Sequence, residues 1–325
     1  MKAQRILFDD FGGPEVMYVA DIELPEIKDN ELILKIMAAG INPVDTKLRR
    51  GQSFLCSLIK EPKPWSLGSD VAGIVIKAGS KAAFKEGDVV TGLVGHRVYP
   101  CAYSTHVITD GARLVKLDND TRLDEAASLL TAGITAYNIA SMIVDDIQTR
   151  SLDVKDSKVL VTGATGGVGH ILLQLLIHFG LSVSSLSQNK EDAFLKSLAL
   201  DGRLSYLDEN NESFESFDYV VDNIGFDTGL AFFNYLKTDG LLITVPTITA
   251  DFIKEHTPCD KRSASVLSHS DNALIKKLMD MLYANKLKVN ISGRYALQDI
   301  AKAHSQIESC HTKGKIVLLP NGLCS

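Results

Sequence analysis

The sequence is poor in the features that mark several protein classes. Tryptophan occurs once and cysteine five times in 325 residues. Cys56, Cys101, Cys259, Cys310 and Cys324 are odd in number, scattered, and form no CxxC pair. That argues against both a disulfide framework and a four-cysteine zinc site, and they read as buried or incidental thiols. No stretch approaches the ~18 apolar residues of a membrane span, so no membrane partner is expected. The first ten residues, Met1-Lys2-Ala3-Gln4-Arg5-Ile6-Leu7-Phe8-Asp9-Asp10, meet acid too early for a secretory signal, and the expected location is cytoplasmic. Long runs of one charge are missing too. The net charge is -6, and basic clusters are as small as Lys47, Arg49 and Arg50, which read as a solvated helix end. Such a chain has no electrostatic reason to seek nucleic acid or anionic membranes. It contains no internal repeat and no low-complexity segment.

What is present is ordinary globular material, 45% hydrophobic and 23% charged, enough for about two domains at roughly 100–200 residues each. The first third is β-rich. Leu32, Leu34 and Ile36 alternate within Glu31 to Met37, and Val71 to Ile76 and Gly87 to Leu93 are short apolar runs broken by glycine. The pattern turns helical from about Asp124 to Ser141, with Asp120 and Thr121 offered as caps. Strands at 158–162, 181–186, 217–222 and 240–245 then alternate with helices at 168–179, 192–200 and 228–236, which predicts parallel βαβ units in a doubly wound sheet. Amphipathic helices at 272–285 and 297–308 and a strand at 314–319 follow. The fold class expected is α/β: a Rossmann-type parallel sheet over residues 126–285, inserted into a β-rich domain made of residues 1–125 and 286–325.

The most informative motif is Val161-Thr162-Gly163-Ala164-Thr165-Gly166-Gly167-Val168-Gly169. It follows a strand and opens a helix, as a dinucleotide fingerprint must. Glycines let the backbone approach a pyrophosphate, and the helix N-terminus supplies free N–H groups and a positive dipole end. Gly163, Gly166, Gly167 and Gly169 have suitable spacing, and Ala164 takes the place of the second glycine. A tight turn without ligand is the bland alternative. About 20 residues on, NAD enzymes carry an acid for the ribose 2′-OH. No Asp or Glu occurs from Leu181 to Lys190. Ser187, Asn189 and Lys190 can instead donate to a 2′-phosphate that a carboxylate would repel, which favours NADPH, unless the loop is merely polar. Asp222 and Asn223 close a strand near the expected cofactor. Asn223 is counted as a cofactor contact, and Asp222 as either a contact or a loop anchor.

Further segments carry a family resemblance. Phe11-Gly12-Gly13-Pro14-Glu15-Val16-Met17, Ala38 to Lys47, Leu130 to Tyr137 and His311 to Leu318, in this order and with the glycine turn, resemble the medium-chain dehydrogenase/reductase superfamily over nearly the whole chain. The resemblance implies a GroES-like catalytic domain around the Rossmann domain. Zinc alcohol dehydrogenases of this superfamily have cysteine where this chain has Asn42, and a His-Glu pair where it has Ser69-Asp70. Asn and Ser are poor zinc ligands, so no metal is expected. His96, Cys101 and His106, though close in sequence, lie where the family binds none. Asn42-Pro43-Val44-Asp45 is similar to the zinc-free, quinone oxidoreductase-like branch. By that resemblance Asn42 and Asp45 stand beside the nicotinamide, and Thr135 approaches it from the domain junction. Asp45 has a second reading, as a carboxylate that fixes a loop by accepting backbone N–H bonds. Lys47 departs from the aromatic residue of many relatives.

These residues imply hydride transfer from NADPH to a quinone or an α,β-unsaturated carbonyl. Without zinc, the acceptor must be activated by conjugation or hydrogen bonds, so simple alcohols are not expected. A quinone product can take its protons from solvent. An enone needs a proton at carbon, for which no acid is evident. The alternatives are an enoyl or enone reductase and a non-enzymatic NADP(H)-binding regulator on the same fold. A short-chain dehydrogenase is set aside because no tyrosine has lysine four residues on. A short strand within Ser263 to His269 is expected at a sheet edge, where relatives pair two chains, so a homodimer is expected.

Overall fold

The computed structural model describes residues 1–59, 62–95, 101–118, 122–186, 193–198, 203–207 and 217–322. The chain divides into two compact units, Met1–Thr131 with Ser270–Ser325, and Ala132–His269.

The first unit opens with β1 (Lys2–Leu7) and β2 (Tyr18–Glu23), an antiparallel pair. Then come β3 (Leu32–Ile41), α1 (Pro43–Arg49), β4 (Asp70–Ala78), β5 (Val89–Leu93), β6 (His106–Thr109) and β7 (Leu114–Lys116). β3 is central: it pairs antiparallel with β4 and with β6. Its side chains are almost all buried, because its apolar residues supply the core that also takes in Phe8, Leu67, Tyr103 and Ile316. Proline at the first turn, where no N–H is needed, starts α1 directly after β3.

Helix α2 (Leu123–Thr149) crosses the boundary between the units. An 18-residue window of it is long and apolar enough to cross a membrane, but 67% of that window is buried inside the protein, as in a core helix. The expectation that no stretch approaches span length is corrected accordingly. Serine, threonine and asparagine are scattered through residues 126–144, yet that run contains no charge.

The second unit continues with β8 (Lys158–Val161), α3 (Gly169–His178), β9 (Ser182–Leu186), α4 (Ala193–Ser197), β10 (Leu204–Leu207), β11 (Phe217–Asp222), α5 (Phe226–Ala231), β12 (Leu236–Thr244), α6 (Ala250–Glu255) and β13 (Arg262–Ser265). The six strands are parallel and run β10-β9-β8-β11-β12-β13 across the sheet. This is the doubly wound order of dinucleotide-binding sheets, whose topological switch point lies between the first and fourth strands, here β8 and β11. Helix α3 is buried from Gly169 to Ile177, and its buried polar side chains are satisfied locally, His170 Nδ1 bonding with the Gly166 carbonyl at 2.7 Å and Gln174 Nε2 donating to the His170 carbonyl at 2.8 Å. Gly180, at φ +91°, ends it in the left-handed region.

The tail returns to the first unit through α7 (Asn272–Tyr283), β14 (Ile291–Ala296), α8 (Ile300–Glu308) and β15 (Lys315–Leu319). β15 pairs antiparallel with β3 and parallel with β14, so the carboxyl end completes the β-rich sheet as expected. The unit boundaries differ from the expected 125/126 and 285/286. α7 goes with the β-rich unit because Asn272 Nδ2 donates to the Ala112 carbonyl and Arg122 Nη1 to that of Leu282.

Candidate active site

In the second unit the glycine turn sits at the switch point, between the end of β8 and the start of α3. Gly163 has φ +58°, so the sharp exit from β8 favours glycine. The amide of Gly166 donates to the Gly163 carbonyl at 3.0 Å and closes the turn. A Cβ on Gly169 would lie 2.3 Å from that carbonyl oxygen and 2.8 Å from the Ala164 backbone, so this glycine is demanded by strand–helix packing. A Cβ on Gly166 would meet only the Gly163 oxygen, at 3.2 Å. The space above Gly166 is therefore left open by the protein itself, as a backbone meant to be approached by a ligand requires. Ala164 is buried, Thr165, Gly166, Gly167 and Val168 are partly exposed, and α3 has no side-chain cap on its first N–H groups. The His170 N–H is taken by the Gly166 carbonyl at 3.2 Å, and the positive end of the α3 dipole still favours an anion there.

Asn223 is brought to the same place from β11. Its Nδ2 donates to the Thr162 carbonyl at 2.7 Å, its backbone N–H reaches Thr162 Oγ1 at 3.2 Å, and its Cβ borders Gly163. Asp222 behaves as the loop anchor. It accepts the N–H groups of Ile224 and Gly225 at 2.8 and 2.9 Å and the hydroxyl of Thr244. Burial raises its pKa against those bonds. Thr135, on α2, shares a 2.7 Å hydrogen bond with Ser268. Ser187, Asn189 and Lys190 lie outside the described residues.

In the first unit Asn42 caps α1 and is buried with its partners. Asn42 Nδ2 donates to Asp70 Oδ2 at 2.9 Å, and Lys315 Nζ donates to Asn42 Oδ1 at 2.5 Å. Asp70 also accepts the N–H and the hydroxyl of Thr131, at 3.0 and 2.5 Å. Burial raises the Asp70 pKa and lowers that of Lys315, and each opposes the other's shift. Asp45 Oδ2 accepts the Asn42 backbone N–H at 2.9 Å and the Tyr103 hydroxyl at 2.8 Å. Burial dominates and pushes the Asp45 carboxyl up to about 7. Tyr103, buried beside that carboxylate, is held well above its ordinary value. Asp45 thus takes its loop-fixing role, and it is also a group that titrates near neutrality.

A second buried cluster anchors the far end of α1, which corrects the expectation of a solvated helix end: Arg50 is exposed but Arg49 is fully buried. The Arg49 guanidinium donates to the Gly12 carbonyl, to His304 Nδ1 at 3.2 Å and to Glu308 on α8. Burial and this cation pull the His304 pKa down to about 3, so the ring is neutral and accepts. Lys47 is partly buried, and burial alone lowers its pKa. Tyr103, Lys315 and Ser268 were not anticipated from sequence, although a lysine opening the apolar run Lys315 to Leu319 is a signal, since a charge in such a strand needs a partner. Among the described residues no three His, Cys, Asp or Glu side chains are grouped to hold a metal ion.

Residues 28–119 match the family model described as alcohol dehydrogenase GroES-like domain, and residues 200–318 that described as zinc-binding dehydrogenase. The chain is 30% identical over 326 residues to the 2-methylene-furan-3-one reductase of Solanum lycopersicum, a match covering 96% of this chain and 78% of that protein. It is 29% identical to the chloroplastic NADPH-dependent alkenal/one oxidoreductase of Arabidopsis thaliana, over 97% of this chain and 78% of that one. Among solved structures, the quinone oxidoreductase of Coxiella burnetii aligns with a TM-score of 0.85 at 30% identity, covering 98% of this chain and 99% of that chain.

Proposed function

The chain belongs to the medium-chain dehydrogenase/reductase family, in its quinone oxidoreductase-like branch, and from that premise we propose that it passes hydride from NADPH to a quinone or another conjugated carbonyl acceptor, without zinc. It is an oxidoreductase, and its cofactor is NADPH. The observation that carries the reading is the turn at the switch point, where Gly169 serves the fold and Gly166 leaves its space to a ligand.

NADPH, when bound, supplies the hydride from C4 of its nicotinamide. The chain's own work is to hold and orient. The turn from Gly163 to Gly169 and the open start of α3 take the pyrophosphate. Ser187, Asn189 and Lys190 are assigned the 2′-phosphate on their chemistry. Asn42 and Asp45, by resemblance, stand beside the nicotinamide, and Thr135 approaches it. Zinc is disfavoured at Asn42 because an amide is a poor zinc ligand, and here its oxygen already accepts from the Lys315 ammonium while its nitrogen donates to Asp70.

A second acceptor class is favoured by one observation. An enone needs a proton at carbon. Asp45 directs both of its hydrogen bonds to Oδ2, and its pKa of about 7 leaves a large protonated fraction at neutral pH. A carboxyl poised near the working pH suits proton transfer. We also infer a homodimer through the edge strand β13.

The test is a steady-state screen of NADPH oxidation against quinones, enones and aldehydes, with elemental analysis of the same preparation. Turnover with quinones or enones is expected, with NADPH bound at least ~10-fold tighter than NADH, about 1.4 kcal/mol. Zinc should be well below stoichiometric, and chelators should leave activity intact. Tight NADPH binding without turnover, or one zinc per chain, overturns the reading.

A further inference from the structure

Lys315 opens β15, a strand whose five residues are all buried. An ammonium there loses water and must be repaid by partners. It has two: the Ile41 carbonyl at 2.9 Å and Asn42 Oδ1 at 2.5 Å. Register supplies the reason. Ile316 of β15 faces Ile41 of β3, so Lys315 comes to the end of β3, where Asn42 begins α1. On the other side of the amide, Asp70 opens β4, pairs with Gly40 in the ladder, and receives Asn42 Nδ2. The Asn42 side chain is therefore bracketed by a cation on its oxygen and a carboxylate on its nitrogen. A flipped amide would set NH2 against ammonium and oxygen against carboxylate, losing two charge-assisted bonds. One N–H and one lone pair of the amide remain to be used.

We propose that Lys315 is a positioning residue: together with Asp70 it holds the Asn42 amide in one flip state, so that its remaining donor and acceptor present a fixed arrangement to the reacting groups. This rests on the reading that Asn42 stands beside the nicotinamide. Methionine would fill the same strand position without desolvating a charge; it would lose the grip on Asn42, the bond to the Ile41 carbonyl and the cation that opposes the upward shift of Asp70.

The experiment compares wild type, Lys315→Met, Asn42→Ala and the double variant with NADPH and a benzoquinone. Lys315→Met is expected to lower kcat ~10-fold or more, since a small misplacement of a positioned group costs up to ~100-fold, while NADPH affinity stays within about twofold, a factor too small to account for such a loss. In the Asn42→Ala background the same change should cost nothing further, because the lysine acts through that amide. A folded Lys315→Met with wild-type kcat overturns the proposal, and so does a full multiplicative loss on top of Asn42→Ala. NMR of the wild type decides even if Lys315→Met does not fold. The Asn42 side-chain NH2 pair, identified by its loss in Asn42→Ala, should be resolved and protected from solvent exchange; rapid exchange overturns the proposal. Because this readout needs no turnover, absence of quinone reduction would sink the proposed function and leave the positioning of Asn42 separately decided.

Discussion

Two glycines three residues apart serve different ends. At Gly169 an added methyl would strike the Gly163 carbonyl and the Ala164 backbone, whereas at Gly166 it would only crowd one oxygen at 3.2 Å. Gly169→Ala should therefore destabilise the fold, and Gly166→Ala should melt close to wild type yet bind NADPH at least ~10-fold more weakly, the loss of roughly 1.4 kcal/mol. Thermal unfolding beside a fluorescence titration separates the two, and normal NADPH affinity in Gly166→Ala would remove the turn from the phosphate site. Asp45 makes a pH-dependent case. Its carboxyl rises from 3.8 to about 7 in the folded chain, chiefly through burial. The folded state thus holds this proton more tightly than the unfolded one. The resulting stabilisation is complete below the unfolded value, declines as pH rises toward about 7, and is gone above it. Asp45→Asn retains an oxygen to accept from Asn42 N–H and Tyr103 Oη, so it should flatten stability between about pH 4 and 7. Enone reduction by the wild type should fall as pH climbs through about 7, while quinone reduction should not. An enone rate that is level across that range would take Asp45 out of proton transfer.

Elements were more legible than their joints. The alternation of strands and helices from residue 158 onward, the closing strand near residue 315 and the glycine turn all follow from apolar period and punctuation. Helix α2 ran further than expected, to Thr149 rather than Ser141. The buried row Ile139, Ile143 and Ile147 carries it on, and Asp146, which breaks the apolar pattern, is held by Arg262 and Tyr219. Such partners come from strands far along the chain, and no local pattern announces them. The same holds for the site. Asn42 and Asp45 were visible in their motif, but Lys315 reaches Asn42 across 273 positions through the pairing of β15 with β3, and Tyr103 reaches Asp45 across 58 positions through the tertiary fold. Helix α7 shows what local sequence does encode. Asp271 accepts the Leu274 N–H at 2.8 Å as an N-cap. Asp271→Ala should cost about 1 kcal/mol of stability and leave NADPH affinity unchanged, since no residue assigned to the cofactor lies on α7. Denaturant unfolding with no change in midpoint would show that the cap contributes nothing.

At the scale of the whole molecule the question is what covers the edge of the parallel sheet. β13 is the last strand beyond β12, and α6 is part of the crossover that a parallel β12–β13 pair requires. The backbone N–H of Val266, just past the strand, donates to the Thr244 carbonyl at 3.3 Å, and Val266 is buried. Alternation along a strand then turns the amides of Ser263 and Ser265 away from β12. Next to them Leu267 is 69% exposed, the most exposed large apolar side chain described. An edge with free amides and an exposed leucine is a liability unless it is paired, and antiparallel pairing with an identical edge across a two-fold axis closes the assembly. Val266→Pro would be a poor probe, because it cuts the internal ladder. Ser265→Pro removes an outward donor and should leave the internal ladder intact. Light scattering at micromolar concentration should give twice the 35.4 kDa chain mass for the wild type and a single chain for Ser265→Pro, with NADPH still bound. A wild-type mass of one chain refutes the dimer. A Ser265→Pro variant that remains dimeric places the contact away from β13.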